Sequence, residues 1–101
     1  MIIETNKDGE EIRLVLKGRL DSLSSDKLKN ELLKCFMQGR SVIVDMESVE
    51  FISSAGLQAL FVGQKAADSK NGKLLIINTN DAVADVFRVS GFYSILNVRE
   101  G

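Results

Sequence analysis

The spacing of apolar residues near the start of the chain is typical of a strand with one buried face. In the stretch EIRLVLKG, residues 12, 14 and 16 are apolar, which is the period of two that such a strand requires. We therefore predict a strand over residues 11–17. Residues 1–5 are predicted to pair with it antiparallel, because the intervening NKDGE contains an Asp-Gly turn signal at Asp8-Gly9.

Three later stretches have apolar residues at helical spacing. In the first, positions 28, 32, 35 and 36 fall on one helical face. Ser24 or Ser25 can cap the start of this helix, and Gly39 suits the left-handed position after its end. A second helix is predicted from residue 57 to a stop at Gly72, and a third from residue 80 or 81 to about Gly91.

Two continuous apolar runs, SVIVD and KLLII, are typical of central strands that are covered on both faces. They predict strands over residues 42–45 and 74–77. The residues expected to be least exposed are Val42, Ile43, Val44, Leu75 and Ile76. The stretch MESVEFI is predicted as a connector to the second helix, and FYSILNV as a short edge strand at the end.

The order of these elements predicts an α/β fold. Strands separated by helices pair in parallel through right-handed crossovers, and the hairpin adds one antiparallel strand. We expect a mixed sheet of four to five strands packed by about three to four helices. The sequence has no linker, low-complexity segment or internal repeat, so a single domain over residues 1–101 is expected.

Composition and charge narrow the possible functions. The 13 basic and 14 acidic residues give a net charge of −1, and residues of neither sign gather into a run. Nucleic acid is therefore not expected as a partner. No apolar stretch of membrane-spanning length and no signal-peptide pattern is present, so a cytoplasmic protein without a membrane partner is expected. The chain has no histidine, and Cys35 is predicted to be a core residue, so no metal, cofactor or catalytic site is expected.

The stretch FISSAGL places two hydroxyls at the start of the second helix. A serine there can accept a hydrogen bond from a free backbone N–H, which stabilises a helix by about 1 kcal/mol. The same position can carry a phosphate, because the helix N-terminus has a partial positive charge. Ala55 and Gly56 leave little side chain beside the serines, which would let another protein approach. Spacing alone leaves the cap and the phosphorylation site as alternatives.

Four stretches together resemble the bacterial anti-sigma factor antagonists, small members of the STAS (sulfate transporter and anti-sigma factor antagonist) group. FISSAGL is similar to the central motif of that family, and LKGRLDS to its second strand and following turn. SVIVDMESVEFI resembles the central strand and the connector to the switch serine, and AVADVFRVSGF the last helix. The resemblance covers nearly the whole chain and implies a STAS-like fold.

The resemblance implies a phosphorylation site at Ser54, two positions before Gly56. Ser53 occupies a place where many members of the family have aspartate. The residues that it implies for partner binding are Asp21, Ser22, Ser53, Ser54 and Gly56. For Asp21, a role as a turn residue is an equally good interpretation.

The mechanism implied by the resemblance is partner switching. The unphosphorylated protein binds an anti-sigma factor that is also a serine kinase, and thereby releases a sigma factor. Phosphorylation of Ser54 breaks the complex, and a separate serine phosphatase restores binding. This chain is then a substrate and not an enzyme. The alternative is a STAS subunit that docks into another regulatory or lipid-transport complex without being phosphorylated.

Overall fold

The chain begins with a β-hairpin. The structure is a computed structural model that describes residues 1–99. Strand β1 (Ile2–Asp8) pairs antiparallel with β2 (Glu11–Leu20), and Gly9 between them adopts a positive φ of 64°. The predicted hairpin and its Asp-Gly turn are confirmed, and each strand continues three residues beyond its predicted end.

Three helices and three further strands follow the hairpin. In chain order they are α1 (Ser25–Gln38), β3 (Ser41–Ile52), α2 (Ser54–Ser69), β4 (Lys73–Ile77), α3 (Asp81–Ser90), a short 3₁₀ helix (Phe92–Ser94) and β5 (Asn97–Arg99). The sheet has the order β1-β2-β3-β4-β5, in which only the hairpin pair is antiparallel. The predicted mixed α/β sheet is confirmed. The edge strand predicted in FYSILNV is present only at the end of that stretch, as β5, because residues 92–94 form the 3₁₀ helix.

The predicted connector after residue 45 is wrong, because β3 continues as a strand to Ile52. Its second half stays paired with β2, from Lys17 opposite Ser48 to Leu20 opposite Ile52. The register shifts twice along this pairing. Such irregularities insert extra residues into one strand and break the alternation of apolar and polar positions. The sequence pattern of this segment therefore did not look like a strand.

All three helices contribute to a single core cluster on one face of the sheet. Val42, Val44 and Ile76 belong to this cluster and are at most 1% exposed, as predicted. Ile43 and Leu75 pair across β3 and β4 on the opposite face, outside the cluster. Ile43 is buried, but Leu75 is partly exposed. The prediction that both faces are covered is therefore wrong for Leu75, which lies on the face of the sheet away from the core cluster and stays partly exposed.

The helix ends differ in part from the predictions. Ser24 is the N-cap of α1, but its hydroxyl caps no helical N–H and donates instead to the Arg19 carbonyl at 2.7 Å. Gly39 is extended (φ −162°, ψ 178°) and not left-handed, because the chain passes directly from α1 into β3. Helix α2 ends three residues before Gly72. The expected end of α3 is confirmed, with Gly91 in the left-handed conformation.

Cys35 lies in the core of the protein, as predicted. It is 4% exposed and belongs to the main hydrophobic cluster. Burial raises the pKa of its thiol, and the negative charge of Glu31 adds to the effect. The reactive thiolate form is therefore disfavoured.

Candidate partner-binding and phosphorylation site

The turn after β2 and the start of α2 meet at one edge of the sheet. Leu20 and Ile52 are paired at the ends of β2 and β3. One residue further on, the Ser53 backbone N–H donates to the Leu20 carbonyl at 2.9 Å. The structure thus brings the predicted site residues of two separate sequence motifs, LDS and FISSAGL, to neighbouring positions.

The two serines at the start of α2 have different environments. Ser53 is the N-cap, and its hydroxyl accepts a hydrogen bond from the Gly56 N–H at 3.3 Å. Its side chain is partly buried. Ser54 is the first residue of the helix and is exposed. The capping role therefore belongs to Ser53, while Ser54 is accessible at the positive end of the helix dipole.

The first turn of α2 carries no acidic side chain. Negative groups are favoured at this end of a helix, where several backbone N–H groups have no partner within the helix. A phosphate on Ser54 would supply the missing negative charge. The helix can therefore accept such a modification without being destabilised.

Asp21 organises the turn that follows β2. Its Oδ1 accepts hydrogen bonds from the backbone N–H of Leu23 at 3.0 Å and of Ser24 at 3.2 Å, and from the Ser24 hydroxyl. Desolvation raises the pKa of Asp21, but these hydrogen bonds and the nearby charge of Arg19 outweigh it, and the net pKa lies below its ordinary value. The interpretation of Asp21 as a turn residue is confirmed.

Ser22 and Leu23 form the exposed part of this turn. Both side chains face solvent, and Leu23 is 92% exposed. The Ser22 carbonyl accepts a hydrogen bond from the Ser25 hydroxyl at 3.4 Å, which connects the turn to α1. Leu23 was not among the predicted site residues, since a leucine in this position gives no sequence signal of exposure.

Arg19 links the Asp21 turn to the end of β3. Its guanidinium carbon lies 4.4 Å from the centroid of the Phe51 ring, and its Nε lies 4.0 Å from Asp21 Oδ2. An arginine over an aromatic face is attracted by the ring's electrons. The sequence gives no sign of this contact, because it depends on the pairing of Arg19 with Phe51 in the second half of β3, where the pattern predicts a connector.

Gly56 does not offer an open surface, and this part of the site prediction is wrong. The residue is buried, and a Cβ atom added to it would lie 2.7 Å from Leu20 Cγ and 2.9 Å from Ile52 Cγ1. Real Cβ atoms essentially never come so close to their neighbours. Glycine is required here because α2 packs tightly against the ends of β2 and β3.

Comparison with known proteins agrees with this geometry. The family model described as "Mlab, STAS domain" matches residues 3–97. The anti-sigma-B factor antagonist of Staphylococcus aureus is 31% identical over an alignment of 101 residues, which covers 98% of this chain and 93% of that protein. The chain therefore belongs to the STAS domain family.

Solved structures share the fold at lower sequence identity. SpoIIAA from Bacillus, an anti-sigma factor antagonist, matches in its unphosphorylated form with a TM-score of 0.85 and 16% identity, covering 99% of this chain and 88% of that chain. Its phosphorylated form matches with a TM-score of 0.78 and 16% identity over 99% and 91% of the two chains. These similarities establish a SpoIIAA-like STAS fold for the described residues.

Two further features of residues 1–99 bear on the class of the protein. None of the described helices is long and apolar enough to cross a membrane. Within the same residues, no cluster of three or more His, Cys, Asp or Glu side chains is arranged to hold a metal ion.

Proposed function

We propose that this protein is an anti-sigma factor antagonist controlled by phosphorylation of Ser54. In its unphosphorylated form it binds an anti-sigma factor that is also a serine kinase, and a sigma factor is released. The kinase transfers a phosphoryl group from ATP to the Ser54 hydroxyl, which ends the interaction. A serine phosphatase then removes the phosphate by hydrolysis and restores binding.

The observation that carries this proposal is the position of Ser54. It is exposed, it begins α2, and it lies beside the Asp21 turn at one edge of the sheet. Its neighbour Ser53 is engaged as the helix cap. The relatives named anti-sigma factor antagonists support the same function.

The size of the electrostatic effect is sufficient for a switch. A phosphoserine adds about −1.5 to −2 charges at neutral pH. If it faced a carboxylate of the partner at about 4 Å, with an effective dielectric constant near 20, the repulsion would be on the order of 4 kcal/mol per pair of unit charges. An energy of that size corresponds to roughly a thousandfold loss of affinity.

Binding measurements with variants of Ser54 test the proposal. The anti-sigma factor kinase of the same genome is purified, and its affinity for the wild-type protein, Ser54→Ala and Ser54→Asp is measured by calorimetry with ADP present. Ser54→Ala should bind as tightly as the wild type, because it lacks only a hydroxyl. Ser54→Asp should bind at least about tenfold more weakly, because it places one negative charge at the interface.

Circular dichroism separates lost binding from lost folding. Ser54→Asp should remain folded, since a carboxylate is favoured at a helix N-terminus. Equal affinity of all three proteins would contradict a switch at Ser54. No binding by the folded wild-type protein would contradict the choice of partner.

A further inference from the structure

A groove opens directly beside Ser54. It has a volume of about 570 Å³ and lies between the end of β3, the first turn of α2 and helix α3. Ser53 and Ser54 line it together with the apolar side chains of Phe51, Leu57, Val86 and Val89. Its volume is within the range of about 300–1,000 Å³ that is usual for binding pockets.

Helix α3 contributes Val86 and Val89 to this groove, and of these only Val86 also packs against the core cluster. Helix α3 buries Val83 and Phe87 in the main cluster, whereas Val89 is 84% exposed. Phe51 on the facing wall is 38% exposed. Contiguous apolar side chains left in water beside polar residues are typical of interaction surfaces, since leaving them exposed contributes nothing to the stability of the monomer.

We infer that this groove receives an apolar side chain of the anti-sigma factor kinase. This inference rests on the proposed function. A kinase that phosphorylates Ser54 must bring its active site within bonding distance of the Ser54 hydroxyl, so its surface must also cover the atoms around that residue. The groove includes Ser54 itself, and is therefore continuous with the surface that the kinase has to contact.

The groove also gives the switch a second physical basis. A phosphate on Ser54 would place a strongly hydrated dianion in the lining of a mostly apolar pocket, which already contains one carboxylate, Asp85. Docking of an apolar side chain would then remove water from that charge, and burying an unpaired charge is very costly. Phosphorylation would therefore oppose binding even where the partner has no carboxylate nearby. Val86 and Val89 on α3 become determinants of which partner can bind.

The test is the substitution Val89→Gln, measured against Met37→Gln as a matched control. Both residues are exposed apolar residues in the last turn of a helix, at 84% and 79% exposure. Ser25, at the start of α1, lies beside Ala55 near the start of α2. Met37 is about 18 Å further along α1, so it lies far from the groove beside Ser54. Neither substitution should disturb folding, since glutamine is a good helix former.

Affinity for the purified anti-sigma factor kinase of the same genome is measured by calorimetry with ADP present. Val89→Gln should raise the Kd at least about tenfold, because docking would bury the glutamine amide in a mostly apolar pocket. Met37→Gln should change the Kd by less than about twofold, and Val89→Leu should bind almost as well as the wild type.

The outcomes distinguish a failure of the groove inference from a failure of the proposed function. If the wild type binds the kinase and Val89→Gln binds equally well, the groove is not part of the interface and the inference is wrong. If the wild type does not bind, the proposed function fails and the inference fails with it. Sedimentation of the protein alone tests another occupant: self-association that Val89→Gln abolishes would assign the groove to a second copy of this chain and overturn the inference.

Discussion

Gly56 on α2 lies so close to Leu20 on β2 that a Cβ atom at residue 56 would come within 2.7 Å of Leu20 Cγ and 2.9 Å of the Leu20 carbonyl oxygen. The carbonyl of Leu20 also accepts the hydrogen bond from the Ser53 N–H. The start of α2 is therefore held against the end of β2 by packing and by a backbone hydrogen bond. Any change that moves α2 away from β2 also moves Ser54 relative to Asp21.

We predict that Gly56→Ala destabilises the protein by about 1–3 kcal/mol, the usual cost of an extra methyl group in a tightly packed core. The carbonyl of Leu20 is backbone and cannot turn away, so the strain is not relieved by a change of rotamer. Urea unfolding measures the effect. The sign of the change in unfolding free energy is decisive. If the helical glycine had free space around it, replacement by alanine would stabilise the protein by about 1 kcal/mol.

The lowered pKa of Asp21 predicts a pH-dependent contribution to stability. A carboxyl group whose pKa is lower in the folded state stabilises the protein above its unfolded-state pKa, about 3.9. That contribution is lost as the pH falls through the folded-state value. Asp21→Asn removes the charged group and with it the whole effect.

The wild type should therefore be more stable than Asp21→Asn at about pH 7, and the difference should shrink as the pH falls towards about 3. Urea unfolding of both proteins across this range gives the difference directly. Asp8→Asn is a suitable control, since Asp8 is an exposed residue at the end of β1. A difference between wild type and Asp21→Asn that stays constant with pH would contradict the assigned hydrogen bonds.

Cys35 should react slowly with thiol reagents while the protein is folded. Its burial and raised pKa both reduce the amount of accessible thiolate. Modification in urea should be many times faster than in buffer. Cys35→Ala should lose about 1 kcal/mol of stability through the small cavity that it leaves, with no change in affinity for the kinase. Equal reaction rates in urea and in buffer would contradict the buried position.

The arrangement of helices and strands was largely predictable because the core follows regular periods. Leu14 and Leu28 lie on buried faces of a strand and a helix that repeat every 2 and 3.6 residues, and both are fully buried. The second half of β3 was not predictable in this way. There, the register between β2 and β3 shifts beside Gly18. Val49 and Ile52 are both in the core but lie three residues apart, and this spacing does not match the period of two of a regular strand.

The site was less predictable than the fold, because it depends on contacts between distant parts of the chain. The sequence does not distinguish a glycine that leaves a surface open to a partner from a glycine that allows close packing. Gly56 allows close packing. The stacking of Arg19 on Phe51 and the exposure of Leu23 and Val89 likewise follow only from tertiary structure. The two serines, in contrast, were placed correctly at the start of α2.

If charge repulsion contributes to the switch, the effect of Ser54→Asp should depend on salt. The Debye length falls from about 10 Å at 0.1 M salt to about 3 Å at 1 M, so exposed charges repel each other less at high salt. The ratio of the Kd of Ser54→Asp to that of the wild type should therefore fall as sodium chloride is raised from about 0.05 M to about 0.5 M. A ratio that does not change with salt would assign the loss of binding to dehydration of the charge in the groove.

The site of phosphate transfer tests the central claim most directly. The protein is incubated with the anti-sigma factor kinase of the same genome and ATP, and the phosphorylated peptide is mapped by mass spectrometry. Ser53→Asn is the matched control for Ser54→Ala, because asparagine removes the hydroxyl of Ser53 and keeps an oxygen that can cap α2. We predict one phosphate on Ser54 in the wild type and in Ser53→Asn, and none on Ser54→Ala. Full modification of Ser54→Ala, or an unmodified wild-type protein that nevertheless binds its partner, would contradict the account.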